Sequence, residues 1–261
     1  MASSKTIDMR KKIFVFLSVF SITLAAWAQS VDSLDFVVDK VLAGEPVDNI
    51  ETTVETDTCR HRVLIIGDST LDGVSRRFAD YAYQNGYTIF SSVWYGATVK
   101  CWAYTTELPR LIKKVNPTFI IISLGTNDLG YHDIAARGEA VREIMREIGN
   151  IPFIWIGPIS LKAVAKDPGI VNMIRENVGA DRFYDSYHLK LQRFADGIHP
   201  TFEASAHWID GVARWMSGPE ARHPIVMEYP KTKLPQFKHN ERHQTKYKGT
   251  NKTTGKTNTL R

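Results

Sequence analysis

Ser69, in Gly67-Asp68-Ser69, has the residue type of a nucleophile, and His199, in Asp196-Gly197-Ile198-His199-Pro200, that of the base it would need. A serine hydroxyl is weakly nucleophilic at neutral pH and requires a proton acceptor beside it. An imidazole acceptor in turn requires a partner that fixes its tautomer and stabilises its cation. Asp196 stands three residues before His199, and Gly197 between them permits a tight turn, so the partner is available locally. Attack on a carbonyl also creates an oxyanion. Asn127, in Gly125-Thr126-Asn127-Asp128, carries an amide that can donate to it, and Gly96 lets a backbone N–H approach the same point. The N–H of Ser69 is the third candidate donor. Asp128 reads as structural, buried and hydrogen-bonded to its loop.

Each segment also has a plainer reading. Asp68, Ser69 and Thr70 are all helix-capping types, so Gly-Asp-Ser alone equally marks a helix start. Asp196 and His199 alone fit a capped surface turn, Asn127 a turn residue and Gly96 a loop glycine. What favours chemistry is common placement, because nucleophile, base and donors all fall at one edge of one predicted sheet.

The elements that position them alternate. Residues 63–66 are a continuous apolar run ending at Gly67, which predicts a strand buried on both faces. Residues 71–84 carry Leu71, Val74, Phe78, Tyr81 and Ala82 at helical spacing and stop at Asn85-Gly86. Further strands are predicted over 88–93, 118–124, 152–156 and 182–184, and further helices over 108–115, 134–148, 170–178 and 201–216. Such alternation implies parallel strands joined by right-handed crossovers, with helices on both faces. Ligands of open sheets of this kind sit beyond the carboxyl ends of the strands.

The chain has 261 residues, 43% hydrophobic and 23% charged, which suits an α/β domain with a full core. Its net charge of +5 is concentrated at the ends, in Arg10-Lys11-Lys12 and in the Lys and Arg beyond residue 228. The body is therefore acidic, and no nucleic-acid-binding domain is expected. Arg10-Lys11-Lys12, the apolar run 13–26 and Ala26-Trp27-Ala28 read as a signal peptide over 1–28, which implies export to the periplasm or beyond. The run is shorter than the ~20 residues of a membrane span, so no integral membrane segment is expected after cleavage. Residues 29–58 read as a lead-in helix and linker, 59–223 as the domain, and 224–261 as a basic, disordered tail too poor in apolar residues to fold. Cys59 and Cys101 are expected near opposite ends of the sheet, beyond disulfide reach, and hence as free thiols.

On these residues the sequence resembles the SGNH (GDSL-type) hydrolase superfamily of serine esterases over about residues 60–217. Ser69 lies in Gly-Asp-Ser, Gly96 in the second block, Asn127 in Gly-Thr-Asn-Asp, and Asp196 and His199 in Asp-x-x-His. The second block departs from the family, since Trp94-Tyr95-Gly96-Ala97-Thr98 lacks Asn-x-x-Gly. The resemblance implies an α/β fold, a flavodoxin-like three-layer α/β/α sandwich with a five-stranded parallel sheet. It also implies ester hydrolysis through an acyl-serine without metal or cofactor. Ser69, Asp196 and His199 would be catalytic, with Ser69, Gly96 and Asn127 forming the oxyanion hole. Trp94, Tyr95, Trp102, Tyr104, Tyr131 and His132, in the loops after the second and third strands, could stack on sugars, although each ring is equally suited to packing. The expected substrate is thus a small acyl ester, acetyl first, on a carbohydrate or polysaccharide. The competing readings are an acyltransferase using the same residues, a lipase or thioesterase, and a non-catalytic flavodoxin-like binder holding a phosphate on Thr70, Gly73 and Ser75. A surface protein attached through the basic tail is a further one.

Overall fold

A computed structural model describes residues 60–164 and 166–253. The signal peptide expected over 1–28, the lead-in segment over 29–58, Cys59 and the last part of the tail lie outside the described residues. The domain begins with β1 (Arg62–Gly67), α1 (Leu71–Asn85), β2 (Thr88–Trp94), α2 (Val99–Ala103) and α3 (Glu107–Val115). It continues through β3 (Phe119–Ser123), α4 (Ile134–Ile148), β4 (Phe153–Ile156), α5 (Ile170–Val178), β5 (Phe183–Tyr184), α6 (Phe202–Met216) and β6 (Glu241–His243). The sheet order is β5-β4-β3-β1-β2-β6, and every neighbouring pair is parallel.

Successive strand residues face opposite sides, which divides the core into two apolar layers. Val63, Ile65, Phe119 and Ile121 pack with Leu71, Val74 and Phe78 of α1 and Trp208, Ile209 and Val212 of α6. Leu64, Ile66, Ile120 and Ile122 pack with residues of α2, α3, α4 and α5 on the other side, among them Trp102, Leu108, Val141 and Ile174. This is the three-layer α/β/α sandwich, and the continuous apolar runs of β1 and β3 reflect burial on both faces. Helix ends follow local chemistry. Gly86, at φ 68°, closes α1 in the left-handed conformation, and the Thr201 hydroxyl accepts the Ala204 N–H at 3.2 Å to open α6.

Two expectations require correction. The sheet has six strands, not five, and the sixth comes from the segment expected to be disordered. β6 completes the exposed edge of β2, which would otherwise offer unpaired backbone groups. Its anchors are polar and aromatic rather than aliphatic, so a judgement based on apolar content misses them. Asn240 exchanges two hydrogen bonds with the Ser91 backbone. The Tyr95 N–H donates to the His243 carbonyl at 2.9 Å. Arg110 and Lys114 of α3 bind the Glu241 carboxylate and hold its pKa down at about 2. His243 stacks on Tyr247 with ring centroids 4.3 Å apart, and both rings meet Trp94 edge-on. The short helix α2 was also absent from the sequence reading, because five residues are too few to show a period.

Candidate active site

The site begins at the paired ends of β1 and β3, where Gly67 stands opposite Ser123. A Cβ on Gly67 would lie 2.4 Å from the Ser123 carbonyl oxygen, so only glycine fits this crossing. Asp68 then turns inward, fully buried, and one of its carboxylate oxygens accepts from the Thr70 N–H at 2.9 Å and the Thr70 hydroxyl at 2.8 Å. The other oxygen meets no donor among the described residues. Burial pushes this carboxyl up to about 6 against the pull of the Thr70 hydrogen bonds. With Asp68 fixed inside, Ser69 is left at the surface where α1 begins.

His199 reaches Ser69 from the loop before α6. Its Nε2 lies 2.8 Å from the Ser69 Oγ, and its Nδ1 lies 2.7 Å from Asp196 Oδ2. The other Asp196 oxygen accepts the N–H groups of Ile198 and His199 at 2.8 and 3.0 Å, around Gly197 at φ 68°. The hydrogen bond from His199, followed by those two N–H groups, holds the Asp196 carboxyl at about 2. An ionised carboxylate only accepts, so Nδ1 carries the proton and Nε2 presents its lone pair to the serine hydroxyl. Arg193 braces the same loop by donating to the carbonyls of Ile198 and Ser160.

The donors come from β2 and β3. Gly96 has φ 74°, a conformation that L side chains rarely adopt, and a Cβ there would lie 3.1 Å from a Thr245 methyl of the tail. Asn127 donates its side-chain amide to the Ala97 carbonyl at 3.0 Å, which holds it beside the Gly96 turn with a second amide hydrogen to spare. Among the described residues, neither the Ser69 nor the Gly96 N–H meets an acceptor. Asp128 is buried as expected, taking the Val99 N–H at 3.0 Å and the Arg137 guanidinium, and it ties α2 and α4 to this loop. Ser69, Asp196, His199, Asn127 and Gly96 thus lie at the same carboxyl edge of the sheet. A hydroxyl aligned on an imidazole, with free N–H donors nearby, can perform acyl transfer.

Ser69 and His199 open into a cleft of about 390 Å³ shared with Asp72, Arg76, Tyr95 and His239. Several of its residues were not foreseen. Asp72 Oδ1 accepts from the Tyr95 hydroxyl at 3.0 Å and lies 2.8 Å from His239 Nε2. His239 Nδ1 lies 2.8 Å from Ser91 Oγ, which lies 2.7 Å from Ser75 Oγ. Partial burial pushes the Asp72 carboxyl up, but the bonds to His239 and Tyr95 outweigh it and hold it below the ordinary range. Phe237, His239 and Arg242 come from the tail, and a reading that treats the tail as disordered cannot place them.

Of the aromatic residues expected to face a sugar, only Tyr95 lines the cleft. Trp94 and Trp102 are core residues, packed edge-on at 5.7 Å. Tyr131 lies under the Arg137 guanidinium, 3.9 Å from its ring centroid. Tyr104 packs against the core, and His132 is exposed away from the cleft lining. Phe194, Phe202 and Phe237 line the cleft instead. The phosphate cradle of the binding-protein reading is not available either. Thr70 is committed to Asp68 and Ser75 is buried against Ser91, so two of its three groups are already engaged. Cys101 is a free thiol.

No family model matches the chain, and no curated protein does. Solved structures are similar to it. One is the psychrotrophic esterase EstA from Pseudoalteromonas sp., at 14% identity and a TM-score of 0.47, covering 60% of this chain and 100% of that one. A second is the acetyl xylan esterase AlAXEase, at 15% identity and a TM-score of 0.43, covering 57% and 97%. A third is a two-domain esterase active on acetylated mannans, at 12% identity and a TM-score of 0.46, covering 65% and 52%.

Proposed function

We propose that this chain is an exported serine esterase of the SGNH type that removes small acyl groups, acetyl first, from a carbohydrate. The observation that carries the reading is the continuous line Asp196–His199–Ser69, with its 2.7 and 2.8 Å contacts. His199 takes the hydroxyl proton as Ser69 Oγ attacks the ester carbonyl. The N–H groups of Ser69 and Gly96 and the free amide hydrogen of Asn127 receive the oxyanion. His199, its cation balanced by Asp196, then protonates the departing alcohol. Water, activated by the same imidazole, releases the acid from the acyl-serine.

An acetyl group suits a site in which the nucleophile sits at a strand end beside the donors, and the aromatic cleft beyond it suits the alcohol portion. A second reading, a longer-chain esterase, draws on the exposed rings of Phe194 and Phe202 near the nucleophile. p-Nitrophenyl esters of rising chain length, compared with acetylated xylan and mannan, separate the two. Highest kcat/KM at acetyl supports the carbohydrate esterase, and a maximum at octanoyl supports the longer-chain reading. Near-normal turnover of every ester by Ser69→Ala would refute both.

A further inference from the structure

We propose that Arg76, seated on the Phe202 ring, binds a carboxylate of the substrate, so that the carbohydrate attacked is acidic; this rests on the esterase reading above. Arg76 lines the cleft that holds Ser69 and His199, and with Gly73 and Phe202 it also borders a second groove of about 540 Å³ containing Tyr229 and Lys233. The nucleophile's cleft therefore continues past Arg76 along α1, as a polymer requires.

The arginine itself is the informative group. Its guanidinium lies 4.7 Å from the Phe202 ring centroid and has no hydrogen bond or ion pair to any described residue. Its neighbour Arg77 shows the alternative, being buried and paired with Asp80 and Asp210. A planar cation held against an aromatic face has already lost much of its rotamer freedom, while its fork of donors remains open to a carboxylate. Arg242 of β6 lines the same cleft, and its nearest carboxylate oxygen, on Asp72, is 3.9 Å away and already engaged by His239 and Tyr95.

Position and charge define the ligand further. Arg76 is seven residues beyond Ser69, or about 10 Å along a helix. The acyl group under attack is held by the donors of Ser69, Gly96 and Asn127, so the carboxylate taken by Arg76 lies on the alcohol side of the ester, on the polymer itself. Asp72 and Asp196 also face this cleft. A singly charged carboxylate is repelled by them less than a doubly charged phosphate would be. Phe194 and Phe202, 5.4 Å apart and edge-to-face, are both exposed and put apolar surface for a sugar beside the arginine.

The test uses the full chain with three substrates: p-nitrophenyl acetate, O-acetylated polygalacturonate, and the same polymer after methyl esterification of its carboxylates. The wild type should turn over all three, with kcat/KM about tenfold higher on the acidic polymer than on its neutralised form. That ratio should shrink as salt is added. Arg76→Gln should bring the ratio close to one through a raised KM on the acidic polymer, and Arg242→Gln should lower it less. A ratio is internal to each preparation, so partial misfolding does not imitate the effect. Wild-type turnover of p-nitrophenyl acetate with equal rates on both polymers overturns the acidic-substrate proposal alone, as does a ratio unmoved by Arg76→Gln. No turnover of any ester overturns the esterase reading and this proposal together.

Discussion

His199 Nε2 and Ser69 Oγ lie 2.8 Å apart, although 130 positions separate them in the chain. One sits at the start of α1 and the other just before α6, and these helices cover the same face of the sheet. The pairing is therefore a consequence of the fold rather than of local sequence. Replacing either residue by alanine should lower kcat by at least about 10⁴-fold in a p-nitrophenyl acetate assay. Asn127→Ala should cost about 10²–10³-fold, the usual loss for one oxyanion donor. Asp196 is substantially exposed, so water can replace part of its role. Asp196→Ala should accordingly cost less than His199→Ala.

The buried Asp68 makes stability depend on pH. Burial raises its pKa from 3.8 to about 6, so the folded state holds this proton more tightly than the unfolded chain does. The stabilising contribution is complete below about pH 4 and is lost as pH rises through about 6. Asp68→Asn cannot ionise. Its stability relative to wild type should therefore improve between pH 4 and 8, by up to about 3 kcal/mol, in urea unfolding at the two pH values.

The C-terminal segment titrates in the opposite sense. Arg110 and Lys114 hold Glu241 at about 2, against an ordinary 4.5. The contribution of Glu241 to docking is thus present above about pH 4.5 and lost as pH falls toward 2. Protection factors for amide exchange over residues 239–247, taken against the intrinsic rate at each pH, should fall across that window in the wild type, and Glu241→Gln should exchange faster at pH 7. Truncation after residue 236 should impair turnover, because it removes His239 from Asp72 and opens the cleft. Full activity of the truncated chain would contradict this.

Gly67, beside the nucleophile, and Gly86, at the far end of α1, should respond unequally. Gly67→Ala places a methyl group 2.4 Å from a backbone oxygen, which should cost more than about 2 kcal/mol and displace Ser69. Gly86→Ala meets no atom within 4 Å and bears only the cost of its φ of 68°, about 1 kcal/mol. Thermal unfolding of the two variants compares them directly.

Much of this arrangement was legible in the sequence. The apolar runs of β1 and β3 and the helical spacing in α1 and α4 follow directly from burial on both sheet faces. Ser69, Asn127, Asp196 and His199 stand beside turn glycines that punctuate those runs. What escaped was long-range and polar. β6 is three residues held by Arg110, Lys114, Ser91 and Trp94, none of them its neighbours in sequence. Without β6, neither the sixth strand nor the tail's contribution of Phe237, His239 and Arg242 to the cleft could be anticipated. The loop aromatics were misplaced for a related reason. A Trp expected in a loop reads the same whether it meets solvent or, like Trp102, lies in a short helix and is fully buried in the core.

The most direct test is to incubate the protein with a fluorophosphonate and locate the adduct by peptide mass mapping. The account predicts a single adduct on Ser69, formed at a rate that falls sharply in His199→Ala. An unlabelled Ser69 in folded protein, or labelling equally fast without the imidazole, would contradict it.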